Sequence, residues 1–225
     1  LTSQKRRTLS TYVPDFMPMT GRSASKSRSS PMSAIYEPSQ PKLDRQVAEN
    51  HYDVVQRTLH WTMAVIILLA IAIGVYCEYF LVPGTPLRRF LLDIHKSLGM
   101  TALLLVIIRL AYRFIKGAPA YREHLSKLVH AAAEAAHWAL YAIMLYMPIT
   151  GYINSGAGGN TLPWFGLFQW PRLVPLDKPL AHWGSYLHGW GAYAIYALLT
   201  LHIGAVIWHQ FVRRDSVLSR MLPPK

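Results

Sequence analysis

At 225 residues the chain is 52% hydrophobic and only 15% charged, and its net charge is +12. This composition excludes a disordered or polar soluble chain, and one cysteine, Cys77, excludes an internal disulfide and the paired-cysteine CxxCH attachment of a c-type haem. The positive residues are scattered around the ends of apolar runs rather than gathered in one folded patch, which argues against nucleic acid as a partner.

Residues 1–50 come first and differ from the rest. The stretch GRSASKSRSSPMS is rich in serine and basic residues and has no apolar period, so it reads as a disordered basic tail. It resembles a transit peptide in being acid-poor, but Pro14, Pro18 and Pro31 interrupt any amphipathic helix, and Met32 offers a later start.

Residues 51–225 form one domain. Four apolar stretches, near 58–80, 92–114, 129–152 and 185–211, approach or exceed the roughly 20 residues needed to cross a bilayer. In lipid every backbone polar group must be paired internally, so the stretches are helices, and short connections make them antiparallel. The expected fold is all-α, an integral membrane four-helix bundle. Lysine and arginine crowd the N-terminal tail, the second connection (Arg113, Lys116, Arg122, Lys127) and the C-terminal tail (Arg213, Arg214, Arg220, Lys225). The positive-inside rule then predicts both termini in the cytoplasm.

The fourth stretch carries His188 and His202, fourteen residues apart. That is almost four helical turns, so both imidazoles leave one face of a helix, about 21 Å apart along its axis. The first two stretches carry His60 and His95 near one end each. Given the predicted orientation, His60 and His202 share the inner level and His95 and His188 the outer level. Two imidazoles at each level can fill both axial positions of a haem, so the pattern predicts two b-type haems held non-covalently. With no axial position open for dioxygen, the favoured chemistry is one-electron transfer.

A lone histidine at a membrane interface is commonly an interfacial polar residue; the depth match and the same-face spacing are what raise these four above that. Gly99 and Gly189 follow two of them and would let a flat macrocycle approach, although small residues equally serve helix–helix contact. His137 in the third stretch, at a depth near that of His202, is the strongest alternative inner ligand. His209 is expected to meet headgroups, water or a haem propionate, His182 to lie in a loop, His130 near the surface, and His124 and His51 in water. Arg109 shares the face of His95 fourteen residues further on, where it would pair with a haem propionate or snorkel to the surface. Glu134 reads as an interface residue or a proton carrier to a quinone. Trp61, Tyr76, Tyr79, Trp138, Tyr186 and Trp208 read as an interface belt.

The chain resembles the bacterial cytochrome b561 family, the four-helix di-haem cytochromes of the inner membrane, over roughly residues 50–223. The resemblance rests on an ordered set of segments: RTLHW, DIHKSLGMTALLLVIIRLAYRF, HWALYAIMLYMPITGY, PWFG at 163–166 in the outer loop, and LHGWGAYAIYALLTLHIGAVIWHQFVRRDSVLSRMLP. Gln210 departs from it, since many members carry a second histidine there. The resemblance implies axial ligands at His60, His95, His188 and His202, paired by depth as above, and electron transfer involving membrane quinone. One member type oxidises superoxide and reduces ubiquinone, which makes a quinone-linked oxidoreductase one expectation. The other is a haem relay subunit docked to a dehydrogenase or hydrogenase partner.

Overall fold

The computed structural model describes residues 51–119, 127–215 and 217–223. The expectations for residues 1–50, Met32, Arg122, His124 and Lys225 fall outside these.

Four long helices account for most of the described chain: α1 (Val54–Tyr79), α2 (Pro86–Lys116), α3 (Lys127–Ala157) and α4 (Lys178–Trp208). All four are long and apolar enough to cross a membrane. The protein is thus an all-α, membrane-spanning four-helix bundle. The helices run past the apolar stretches because capping groups, not hydropathy, set their ends. Asp53 accepts from Gln56 N (2.9 Å) ahead of α1, and Asp177 accepts from Leu180 N (2.7 Å) ahead of α4. Thr85 caps α2, with Pro86 supplying a ready-made φ in its first turn. The end of α2 is set by Gly117, whose φ of +73° is a left-handed conformation that favours glycine. Its N–H bonds the Arg113 carbonyl at 2.8 Å. Starting α4 at Lys178 places His182 inside that helix, exposed on its first turns, rather than in a loop as expected.

The end of α4 also differs from the expected 185–211. After Trp208 the backbone widens into a π turn, His209–Arg213, and reverses at Arg214, which has φ +54°. A short 3-10 turn, Ser219–Met221, follows.

The expected outer loop contains a small antiparallel hairpin, β1 (Pro163–Trp164) and β2 (Phe168–Gln169). Its tip has two successive residues at positive φ, Phe165 (49°) and Gly166 (73°), closed by Leu167 N to Trp164 O at 2.9 Å. Consecutive positive φ values give the turn the twist of the strands, and glycine carries the second at no steric cost. The hairpin sits on α2. Ser97 Oγ accepts from Phe165 N (3.0 Å) and lies 3.0 Å from the Pro163 carbonyl, and Trp164 Nε1 donates to Thr101 Oγ1 at 3.0 Å.

The interior is thin. Met63, Val106 and Tyr141, from α1, α2 and α3, form its centre, while Leu68, Leu69, Ile107 and Ile108 face outward at about half their full exposure. Lipid is as apolar as leucine, so outward apolar side chains cost nothing there and helices associate through close fit instead. Such fit is tightest between α3 and α4. A Cβ at Gly191 would fall 2.5 Å from Met147 Sδ, and one at Gly184 would fall 2.7 Å from Asn154 N. Among the described residues the extensive helix pairings are α1 with α2, α2 with α3, and α3 with α4.

Candidate functional site

The four sequence-predicted histidines meet as two pairs. The ring centroids of His60 (α1) and His202 (α4) are 6.4 Å apart, and those of His95 (α2) and His188 (α4) are 6.1 Å apart. Both rings of each pair are half-buried. Two metal–imidazole bonds of about 2 Å each, plus the two ring radii, span about 6 Å, so either pair has the reach to grip one metal ion from opposite sides. Neither α1 with α4 nor α2 with α4, the helix combinations that contribute the pairs, is among the extensive pairings.

The hairpin-end pair is the better braced. His95 Nδ1 lies 2.9 Å from the Ala70 carbonyl of α1. His188 Nδ1 lies 3.0 Å from the Met147 carbonyl and 3.2 Å from Thr150 Oγ1, both on α3. A carbonyl can only accept, so each Nδ1 carries the proton and each Nε2 keeps its lone pair for a metal. Two glycines make these contacts possible. A Cβ at Gly74 would sit 3.1 Å from His95 Cε1, and one at Gly151 would sit 3.2 Å from His188 Cε1. Sequence reasoning missed both, because they lie on helices other than those of the rings they back. The glycines it did select, Gly99 and Gly189, touch no such neighbour: an added Cβ would meet nothing within 4 Å at either.

The other pair is less tied. His60 Nδ1 is buried and has no hydrogen-bond partner among the described residues, and the ring stands edge-on to Trp61 at 5.2 Å. His137 also approaches His202, with centroids 5.7 Å apart, but it is exposed and belongs to α3, the helix packed directly on α4. Arg109 is half-buried, and its guanidinium lies over the Tyr141 ring at 5.7 Å. Arg113 lies over Trp138 and Tyr141, at 5.9 Å from each. Cation–π contact satisfies part of the charge of an arginine that has little water nearby. Tyr141 was not a sequence-predicted partner, since no local spacing links α2 to α3.

The remaining histidines separate from the pairs. His209 Nδ1 bonds Asp215 Oδ2 at 2.5 Å, a protein partner instead of the expected headgroup or propionate. His130 stands 3.8 Å from Glu134, one turn on, and both are exposed. His51 is half-buried, with Nδ1 buried and unpaired, rather than in water. The six aromatic residues read as an interface belt are all exposed.

The chain as a whole has relatives among known proteins. "Cytochrome b561 homolog 2" of Escherichia coli (strain K12) is 28% identical over 179 residues, covering 76% of this chain and 90% of that protein. "Probable superoxide oxidase CybB" of Yersinia pestis is 25% identical over 174 residues, covering 77% and 97% respectively. "Cytochrome b562" of Cereibacter sphaeroides is 25% identical over 183 residues, covering 79% and 98%. Residues 51–224 match the family described as prokaryotic cytochrome b561, and the chain belongs to that family of membrane haem electron-transfer proteins.

Proposed function

We propose that the chain holds two b-type haems, one between His60 and His202 and one between His95 and His188, and carries electrons between a donor and the membrane quinone pool. The observation that carries this reading is the repeat along α4: His188 and His202, fourteen residues apart, each face an imidazole from the α1–α2 half of the bundle at 6.1 and 6.4 Å. Bound there, b-type haem would be held by His60 and His202 at one end and by His95 and His188 at the other, and would supply a one-electron couple. The protein's part is to orient and shield. Ala70, Met147 and Thr150 hold the ring planes at the hairpin end, and the apolar helices exclude water from around the histidines.

His137 stays a bystander in this reading. The close fit of α3 on α4 leaves little width for a macrocycle between those two helices, whereas α1 and α4 are more widely set. Arg109 and Arg113 bring positive charge to the level of His60, His137 and His202, where the carboxylates of a haem are suitable partners.

Superoxide is the donor favoured here, supported by the relative whose name is a probable superoxide oxidase and by the length of chain shared with it. The proposed location is the bacterial inner membrane, as the family suggests, with both termini cytoplasmic, an orientation supported by the distribution of lysine and arginine. The test is direct. The purified protein is expected to give a low-spin b-type spectrum with two haems per chain, to be reduced rapidly by superoxide, and to pass the electrons to ubiquinone. Reduction only in the presence of a co-purifying dehydrogenase would replace the stand-alone oxidoreductase with a relay subunit.

A further inference from the structure

His60 and His202 must be held with ring centroids 6.4 Å apart although their helices, α1 and α4, do not share an extensive interface. The chain after α4 supplies the missing link. The π turn brings Asp215 back onto its own helix, where Oδ2 bonds His209 Nδ1 (2.5 Å) and Arg213 Nε (3.4 Å). Asp215 N also bonds the His209 carbonyl at 3.2 Å. The chain leaves this latch toward the start of α1.

There, three successive carbonyls accept from α1 and its entry. Arg220 O accepts from Tyr52 N at 3.1 Å, Met221 O from Trp61 Nε1 at 2.9 Å, and Leu222 O from an Arg57 guanidinium nitrogen at 2.8 Å. The Arg220 side chain is buried, lies over the Tyr52 ring at 5.6 Å, and donates to the Pro119 carbonyl beyond α2 at 2.8 Å. Arg57 and Trp61 flank His60 on α1, one turn before it and immediately after it. His202 lies two turns before His209 on α4. The segment therefore joins the backbone just beyond one imidazole to the side chains beside the other.

We propose that residues 217–222, latched by Asp215, are a positioning strap that sets the separation of His60 and His202 and so holds the haem at that end. The strap acts through Arg57 and Trp61. The hairpin end needs no such device, because its imidazoles are tied directly to backbone carbonyls. This inference rests on the reading of His60 and His202 as a haem pair.

The experiment compares full-length protein with the double variant Arg57→Met/Trp61→Phe, which removes both side-chain donors to the strap and keeps bulk at each position. A deletion of everything after Arg214 is made in parallel. Haem content, low-spin electron paramagnetic resonance and the midpoint potential of each haem are measured in detergent. The strap-end haem should be retained ~10-fold or more less tightly in the double variant, the effect typical of losing an outer support of a metal ligand, with its resonance shifted. The hairpin-end haem should keep its signal and potential. Arg57→Lys/Trp61→Phe, with one donor restored, should recover part of the retention. Unchanged retention, resonance and potentials of both haems in the double variant would overturn the strap, as would equal loss of both haems. If the deletion yields no protein, the double variant decides. Fewer than two haems in the fully loaded, unaltered protein would sink the di-haem reading itself, a result visible before any variant is made.

Discussion

His95 is aimed by Ala70. The imidazole of α2 places Nδ1 2.9 Å from that carbonyl on α1, so the ring is oriented by a backbone group on a second helix, with its centroid 6.1 Å from that of His188. The contact needs Gly74 on the next turn of α1, since a methyl group there would come within 3.1 Å of His95 Cε1. Gly74→Ala should therefore tilt the ring rather than unfold the bundle. The expected result is ~10-fold weaker retention of the hairpin-end haem, with a shifted low-spin resonance. Gly151→Ala should act in the same way through His188. Full retention with unaltered spectra in both variants would count against these rings as ligands.

Substitution of the histidines separates ligands from neighbours. His202→Ala should remove the haem at the strap end and spare the other, and His95→Ala should do the reverse. His137→Ala should keep both haems. Haem content and low-spin spectra at matched protein levels are the measurement. Loss of a haem in the His137 variant with His202 dispensable would move that site onto α3.

Stoichiometry and attachment can be read without mutation. Extraction with acidified organic solvent should release all the haem, since Cys77 is the only cysteine and is buried in α1. Haem that stays with the protein after extraction would contradict the non-covalent reading.

Ser97 tests the hairpin. Its buried hydroxyl accepts from Phe165 N at 3.0 Å and faces the carbonyls of Asp93 (2.7 Å) and Pro163 (3.0 Å). Ser97→Ala would leave the Phe165 N–H without this acceptor, at a cost of about 1–3 kcal/mol. A lowered thermal midpoint in detergent and faster proteolysis within 158–177 are expected, with haem content at the strap end unaffected. An unchanged midpoint would show that the hairpin is held by Trp164 and its aromatic neighbours alone.

Orientation is tested by reporter fusions. A fusion at residue 225 should report the cytoplasm, and insertions within 155–180 should report the opposite side. A C-terminal fusion on the exported side would reverse the assignment of inner and outer histidine levels.

Much of this protein was legible from one dimension. Four apolar stretches determine four membrane helices, because lipid offers no other partner for backbone polar groups. The fourteen-residue spacing of His188 and His202 determines that both leave one face of α4, because helical geometry is local. Depth anticipated that His188 would meet His95, but at the other level it left both His60 and His137 as neighbours of His202, and both rings do approach it. The tertiary structure decided what local geometry cannot carry. Helix ends at Thr85 and Asp177 depend on capping groups outside the apolar runs. Gly74 and Gly151 back the rings of His95 and His188 from other helices, and Arg109 lies over Tyr141 on α3, because side chains distant in sequence meet only once the helices pack. The strap from Asp215 to Leu222 belongs to the same class: its partners, Tyr52, Arg57 and Trp61, lie some 160 residues earlier in the chain, and a hydrogen bond to a backbone carbonyl leaves no mark on residue type.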